Sequence, residues 1–187
     1  MSILKVARMG HPVLRQRART IEPKELKTVV LQKLIDDMIL TMDEYSGVGL
    51  AAPQVHESLR LFVAHLDQEG RGRGDAVAII NPDIEVIGHE IIEGWEGCLS
   101  IPDIRGRVPR AAQIRVTALD RQGKRIEITT QDFPARVIQH ETDHLNGILF
   151  FDRMRSFESL TYMDEFSRYH ARREDDDSED GDDESSH

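Results

Sequence analysis

One segment constrains this chain more than any other, the H-E-x-x-H pattern formed by His140-Glu141-Thr142-Asp143-His144. On an α-helix, residues four positions apart lie about 40° apart around the axis, so His140 and His144 project from the same face. Two imidazoles on one face can bind a single metal ion, and Glu141 lies beside them without being a ligand. The pattern therefore predicts a helix that carries a metal site and a carboxylate suited to metal-assisted hydrolysis.

The net charge of the chain is concentrated at its C-terminal end. The 187 residues carry 34 acidic and 24 basic side chains, for a net charge of −10. Nine of the acids, and no base, lie in residues 174–184. Such a run repels itself and buries no apolar surface, so we expect residues 174–187 to form a disordered acidic tail. Residues 1–173 are long enough for a single catalytic domain.

Several features favour a cytoplasmic protein. No run approaches the roughly 18 apolar residues that a membrane-spanning helix needs, and the first residues show no signal-peptide pattern. Cys98 is the single cysteine, which excludes an intramolecular disulfide and suits a reducing compartment. The segment Arg71-Gly72-Arg73-Gly74 is expected to be a surface loop, and the alternative of a basic patch is weak with only two arginines. We therefore expect no membrane segment and no specific nucleic-acid site.

Hydrophobic periodicity predicts an α+β fold. Apolar residues at helical spacing indicate a long N-terminal helix over Pro23–Tyr45, a second helix from near Pro134 to Asn146, and a weaker third helix over about Ser156–Arg173. Apolar and β-branched runs between the first two helices indicate short strands. These strands are Leu61–Ala64, Val77–Ile80, Ile84–Ile87, Ile114–Leu119 and Arg125–Thr129. Because strands and helices do not alternate regularly, we expect antiparallel sheets packed around the central metal-binding helix, with the long N-terminal helix and a C-terminal helix outside.

The helix supplies only two metal ligands, whereas a catalytic site normally has three from the protein. Cys98 is the only thiol and lies in Glu96-Gly97-Cys98-Leu99-Ser100. Gly97 permits close approach of the backbone, and Pro102 stiffens the exit from the segment. A lone cysteine is more often a small buried residue. Here a strong motif that lacks one ligand makes Cys98 the candidate third ligand.

The segment Gly47-Val48-Gly49-Leu50-Ala51-Ala52-Pro53-Gln54 has two interpretations. It can be an ordinary turn between the first helix and a strand. It is not a nucleotide-binding loop, because it lacks the third glycine and the strand-to-helix setting. Small residues that run into one amide donor would also suit a narrow pocket, in which backbone and Gln54 N–H groups hold a carbonyl oxygen.

Together, segments 47–54, 96–100 and 139–144 resemble the three motifs of the peptide deformylase family, in family order and with family-like separation. The resemblance spans roughly Leu4 to Arg153, includes the Pro-Arg of 108–110, and leaves the acidic tail outside. Thr142 is a mild departure, because some members have a larger apolar residue there. We do not expect this difference to affect metal binding.

The resemblance implies an enzyme that removes the formyl group from the N-terminal formylmethionine of new polypeptides and releases formate. Cys98, His140 and His144 would bind one divalent metal, with a metal-bound water as nucleophile and Glu141 as general acid and base. The family typically uses Fe²⁺, with Ni²⁺ or Co²⁺ also active. The ligand set on its own fits Zn²⁺.

The resemblance also implies roles for the surrounding residues. The Gln54 side-chain amide and the Leu99 backbone N–H would hold the oxyanion. Asp143 would pair with Arg110 and brace the helix. The substrate-binding candidates are Gly47, Val48, Gly49, Leu50, Gly97, Arg105, Phe133 and Val137.

Other functions and partners stay open at this point. A zinc peptidase would share the helix motif but would more often take a downstream His or Glu as third ligand, and a non-catalytic relative could be retained for binding. The expected partners are N-formylmethionyl nascent polypeptides, and the ribosome is a plausible transient partner. Arg168, Arg172 and Arg173 could contact phosphates, although the acids that follow would repel RNA.

Overall fold

The structure, a computed structural model, describes residues 1–66 and 75–171. The predicted loop at 71–74 and the predicted acidic tail lie outside the described residues, as do Arg172 and Arg173. The helices of the described part are α1 (Val29–Glu44), α2 (Asp132–Leu145) and α3 (Met163–Tyr169). Its strands are β1 (Gly49–Ala51), β2 (Leu61–Ala64), β3 (Val77–Cys98), β4 (Ile101–Leu119), β5 (Arg125–Gln131) and β6 (Thr161–Tyr162).

All of these strands belong to one antiparallel sheet in the order β1-β2-β3-β4-β5, with β6 paired to β4. The two long strands β3 and β4 form a hairpin whose turn is Leu99–Ser100, so Cys98 lies at its closed end. The predicted α+β class, with an antiparallel sheet around the H-E-x-x-H helix, is confirmed.

Strand β2 explains how the two long helices share one sheet. Phe62 and Ala64 point into the apolar core beneath α2, whereas Leu61 and Val63 point into the core beneath α1. Successive side chains of a strand face opposite sides, and both sides of β2 are covered. Because both faces are buried, the sequence of β2 is a continuous apolar run and does not alternate between apolar and polar residues.

Helix α1 begins later than its apolar periodicity predicts. Thr28 caps the helix, because its side-chain oxygen accepts a hydrogen bond from the Leu31 backbone N–H at 3.3 Å. The preceding residues 23–27 are turns, held in part by the Glu25 carboxylate, which accepts from Arg19 at 2.8 Å and from the Glu22 backbone N–H at 2.8 Å. These side-chain hydrogen bonds take the place of the backbone hydrogen bonds that a helix beginning at Pro23 would have.

The extents of the strands also differ from the sequence prediction. The separate strands expected at 77–80 and 84–87 are parts of β3, and the residues around Cys98 are extended as well. Register shifts between Ile80 and Asp83 and between Ile87 and Ile91 interrupt the alternation that a sequence pattern detects. The third helix is shorter than the predicted Ser156–Arg173, because 157–159 form a 3₁₀ turn and β6 precedes α3.

Helix α2 occupies the centre of the structure. Ala135, Ile138 and Leu145 are buried against the sheet, and Gly147 follows the helix with a φ of +74°. A Cβ on Gly147 would lie 2.8 Å from the Arg15 carbonyl group, so both the conformation and the close contact require glycine. Among the described residues, no helix is long and apolar enough to cross a membrane.

Candidate active site

The closed end of the β3–β4 hairpin lies against the polar face of α2. There the ligand atoms of Cys98, His140 and His144 all lie within 4.8 Å of one another, and Cys98 Sγ is 3.3 Å from His144 Nε2. One thiol and two imidazoles form a soft, compact donor set that suits a divalent transition metal. The structure thus brings Cys98 to two histidines that lie 42 and 46 positions later in the sequence.

Glu96 orients the first of the two histidines. Its Oε2 lies 2.9 Å from His140 Nδ1, which leaves Nε2 as the nitrogen for a metal. Glu96 also accepts from Arg110 Nε at 2.9 Å, from Arg110 Nη2 at 3.0 Å and from Arg136 Nη1 at 2.9 Å. Burial alone would raise the pKa of Glu96, but the hydrogen bonds from Arg110 and His140 outweigh it and lower that pKa. Glu96 is therefore a buried carboxylate kept ionised by its neighbours.

Asp143 extends this network on the other side of Arg110. Arg110 Nη1 donates to Asp143 Oδ2 at 2.5 Å, and Arg153 Nη2 donates to Asp143 Oδ1 at 2.7 Å. Both Asp143 and Arg110 are buried. A continuous set of ion pairs and hydrogen bonds thus runs from Asp143 through Arg110 and Glu96 to His140, and it ties α2 to both strands of the hairpin.

Glu141 is the buried carboxylate beside the candidate ligands. Its Oε2 makes no hydrogen bond with any of the described residues. Burial raises the pKa of Glu141 to about 7, so this carboxyl group can hold or release a proton near neutral pH. Gly49 makes room for it, because a Cβ on Gly49 would lie 2.7 Å from the Glu141 Cδ atom.

Gln54 lies beside Cys98 and Ser100, at the turn of the hairpin. Its Oε1 accepts from the Ala51 backbone N–H at 2.8 Å, which fixes the orientation of the amide. Its Nε2 lies 3.2 Å from Ser100 Oγ and 3.5 Å from Cys98 Sγ. The amide donor of Gln54 therefore points at the candidate ligand group.

A cleft of about 960 Å³ opens above these residues. It contains Glu141, Gln54 and Leu99, together with most of the predicted substrate-binding residues, namely Gly47, Val48, Gly49, Gly97, Arg105, Phe133 and Val137. The Leu50 side chain is not brought into the cleft, because it is fully buried in the core beneath α1. Successive side chains of a strand point to opposite faces of the sheet, so Leu50 lies on the face opposite to that of Gly49 and Ala51.

Sequence reasoning missed three residues that make direct contacts here. Glu96 and Ser100 lie within the cysteine segment, and their positions beside Cys98 were the available signal. Arg136 lies one turn before His140, and its guanidinium donates to the carbonyl oxygens of Ile92 and Val108 at 2.7 and 2.8 Å. No pattern in the sequence marks Arg136, because its partners are mainly backbone atoms of distant strands.

Taken together, the geometry suits hydrolysis at a metal. It combines a soft candidate group of three ligands, a buried carboxyl with a pKa near neutrality and an oriented amide donor, and all of these residues except His144 line one cleft. A carbonyl compound in the cleft would meet both a proton acceptor, Glu141, and a hydrogen-bond donor, Gln54.

Comparisons with known proteins agree on one family. The protein-family model described as Polypeptide deformylase matches residues 3–159. The chain is 45% identical over 160 residues to peptide deformylase 2 of Nostoc sp., a match that covers 82% of this chain and 87% of that one. A class I type b peptide deformylase structure from Acinetobacter baumannii is similar with a TM-score of 0.77 and 43% identity, covering 81% of this chain and 99% of the other. The Met-Ala-Ser-bound structure of the Acinetobacter protein matches with a TM-score of 0.76 and 42% identity, covering 81% and 98%.

Proposed function

This chain belongs to the polypeptide deformylase family, and we propose that it hydrolyses the N-formyl group from the formylmethionine of newly made polypeptides, releasing formate. One observation carries the proposal. Cys98, His140 and His144 converge to within 4.8 Å beside the buried carboxyl of Glu141, at a cleft of about 960 Å³.

Cys98, His140 and His144 would hold one divalent metal ion. The donor set fits, and Glu96 on His140 Nδ1 supplies the outer hydrogen bond that metal-binding histidines usually make. We propose Fe²⁺ as the working ion, with Zn²⁺, Ni²⁺ or Co²⁺ able to occupy the same ligands. When bound, the ion would polarise the formyl carbonyl and acidify a water molecule.

Glu141 would move the proton of the reaction. It takes a proton from the attacking water as the C–O bond to the formyl carbon forms. It then delivers that proton to the amine nitrogen as the C–N bond breaks, so the products are formate and a free N-terminus. A pKa of about 7, raised by burial, suits a group that must both accept and donate.

Gln54 and Leu99 would stabilise the negative charge that develops on the formyl oxygen. The Gln54 amide is already fixed by Ala51, so it loses little freedom when it donates to the oxyanion. The Leu99 backbone N–H lies in the turn that follows Cys98. The Leu99 donor therefore belongs to the same end of the hairpin that positions Cys98, and Gln54 lies beside it, 3.5 Å from Cys98 Sγ.

The cleft indicates how the substrate would bind. Val48, Phe133 and Val137 would form the apolar pocket for the methionine side chain, because all three line the cleft beside Glu141. The glycines at 47 and 49 leave room for a hydrogen on the carbonyl carbon and little more, which would favour formyl over acetyl. The Acinetobacter relative with Met-Ala-Ser bound supports a peptide substrate of this kind.

The place of action is proposed from the sequence and the substrate. We place this enzyme in the cytoplasm, because its one cysteine suits a reducing compartment, and we propose transient ribosome contact, because new polypeptides emerge there. Arg168 on α3 offers a cation for such a contact, although it already pairs with Glu165 at 3.2 Å. Deletion of residues 174–187 should strengthen co-sedimentation with ribosomes at low salt if the acidic tail repels RNA. Unchanged co-sedimentation and an unchanged salt dependence would rule out that effect of the tail.

The decisive experiment measures formate release from a formyl-Met peptide. The protein is prepared anaerobically and loaded with iron, and Glu141→Ala is the matched variant. Release by the wild type, and not by a Glu141→Ala protein that retains metal, would establish the proposed reaction. No release by metal-loaded wild type would overturn it, and cleavage of an internal peptide bond would identify a zinc-peptidase type of activity instead.

A further inference from the structure

One wall of the cleft is the loop of residues 45–48, which joins α1 to β1 and is called the wall loop below. All of its residues line the cleft, as does Gly49 at the start of β1. The backbone is unusual at Ser46, which has a φ of +53° although it is not glycine. Such a conformation persists only where surrounding contacts hold it, and it occurs often at functional sites. The contacts that hold the wall loop therefore bear on function.

His65 joins the two ends of the wall loop. Its backbone N–H donates to the Val48 carbonyl oxygen at 2.9 Å, which continues the pairing of β1 with β2 by one residue. Its ring Nε2 lies 2.9 Å from Oδ1 of Asp43, in the last turn of α1. A carboxylate accepts hydrogen bonds and donates none, so Nε2 carries the hydrogen. One residue thus connects the helix before the loop to the last residue of the loop.

The two partners of this side-chain contact differ in exposure. The His65 side chain is 8% exposed, whereas that of Asp43 is 52% exposed. A buried polar group is costly unless it is hydrogen-bonded, so the Asp43 carboxylate helps to keep the imidazole in place. Because Asp43 is half-exposed, its carboxylate can be removed without leaving a cavity in the core.

The position of the wall loop matters to Glu141. Gly49, which follows the loop, packs directly against the Glu141 carboxyl group, because a Cβ on Gly49 would overlap that group. Val48 is the residue between this contact and the hydrogen bond from His65. A shift of the wall loop would therefore move the backbone that confines the Glu141 side chain.

We propose that His65 and Asp43 form a latch that holds the wall loop, and with it Gly49, in place against Glu141. His65 is then a positioning residue, because it acts through Val48 and Gly49 and is not among the residues that line the cleft. The latch joins α1 to the end of β2. It leaves α2 and the β3–β4 hairpin, which carry the candidate ligands, unchanged. This inference rests on the proposed function.

The test measures kcat for formyl-Met-Ala on iron-loaded enzyme, together with metal content and amide hydrogen exchange over residues 45–49. His65→Ala should lower kcat by about 10–100-fold, since a displacement of about 1 Å can cost on the order of 100-fold in rate. It should also speed exchange in the wall loop and leave metal content near wild type. His65→Gln, whose amide can still donate to Asp43, should recover most of both losses, which a general loss of structure would not allow.

The half-exposed partner provides a second test. Asp43→Ala should reproduce the losses of His65→Ala, and the double variant should be no slower than His65→Ala alone, because both substitutions remove the same contact. Glu44→Gln, an exposed neighbour on α1, is the control and should match wild type. Wild-type kcat or unchanged exchange in both single variants, or a double variant with multiplied losses, would overturn the inference. No formate from metal-loaded wild type would instead overturn the proposed function, and the exchange rates would still decide whether the latch holds the loop.

Discussion

Glu96 Oε2 lies 2.9 Å from His140 Nδ1, so a residue that is not itself a candidate ligand sets the orientation of one that is. The same carboxylate is bound by Arg110 and Arg136, and Arg110 is bound in turn by Asp143. A buried carboxylate is costly unless it is paired and hydrogen-bonded. Here the pairing also serves the site, because it links the cysteine segment to the histidine helix.

Glu96→Gln should weaken metal binding. Glutamine keeps the shape of the side chain but removes the charge that holds His140 and balances two arginines. Loss of such an outer partner typically costs about 10–100-fold in metal affinity. Competition with a chelator measures the affinity directly, and Glu93→Gln is the control, because Glu93 is a half-exposed residue of the same strand that pairs only loosely with Arg155, at 3.5 Å. Equal affinities of the two variants would show that Glu96 does not orient His140.

Gly49→Ala should damage the reaction more than the fold. Gly49 lies in β1 without a positive φ, so alanine adds no backbone strain. Its Cβ would overlap the Glu141 carboxylate, however, and displace it. A displacement of about 1 Å can cost on the order of 100-fold in rate.

Gly47→Ala provides the graded comparison for that prediction. A Cβ there meets the flexible end of the Leu99 side chain at 3.0 Å, which can move away at small cost. We expect a clearly smaller fall in kcat than for Gly49→Ala, with both proteins melting near wild type. Similar kcat values for the two variants would contradict the assigned position of Glu141.

Asp37→Asn should destabilise the protein in a pH-dependent way. A hydrogen bond from Lys33, helped by the Ser2 backbone N–H at 2.7 Å, lowers the pKa of Asp37 below its ordinary 3.8. A carboxyl with a lowered pKa in the folded state contributes stability above pH 3.8, and this contribution is lost as the pH falls through the folded value. The difference in Tm between variant and wild type should therefore be full at pH 7 and shrink below about pH 3.8.

The neighbouring Asp36 supplies the control for this pH effect. Asp36 is half-exposed and pairs with Arg121 at 2.8 Å near the surface, so Asp36→Asn should change Tm much less than Asp37→Asn does. A Tm loss for Asp37→Asn that is the same at pH 7 and below pH 3.8 would show that packing, and not charge, is what the substitution removes.

Some structural elements could be predicted from the sequence much better than others. Helix α2 could be predicted, and so could the position of its two histidines on one face. The 3.6-residue period of the helix alone places them there, independently of tertiary contacts. Strand β2 was also predicted with its exact ends, since an apolar run bounded by polar residues marks a strand covered on both sides. In both cases the local pattern and the final environment agree.

Long-range contacts account for most of what could not be predicted. The sequence of β3 does not indicate that the strand continues past its register shifts as far as Cys98. Its continuation depends on pairing with β4, which is a contact with another segment of the chain. The roles of Glu96, Ser100 and Arg136 likewise depend on partners in other elements. For α3, the sequence overestimated the helix because the pairing of β6 with β4 competes for the same residues.

Gln54→Ala should lower kcat strongly without abolishing activity. Loss of one preorganised oxyanion donor typically costs about 10²–10³-fold in rate, and the candidate ligands and Glu141 would remain in place. Metal content should stay near wild type, because the Gln54 amide lies 3.5 Å from Cys98 Sγ as a neighbour and not as a ligand. Ser100→Ala, which removes the hydroxyl 3.2 Å from Gln54 Nε2, should give a smaller loss of the same kind, since Ala51 still fixes the amide. Steady-state kinetics beside metal analysis separates these effects, and a Gln54→Ala enzyme with wild-type kcat would exclude Gln54 from stabilising the transition state.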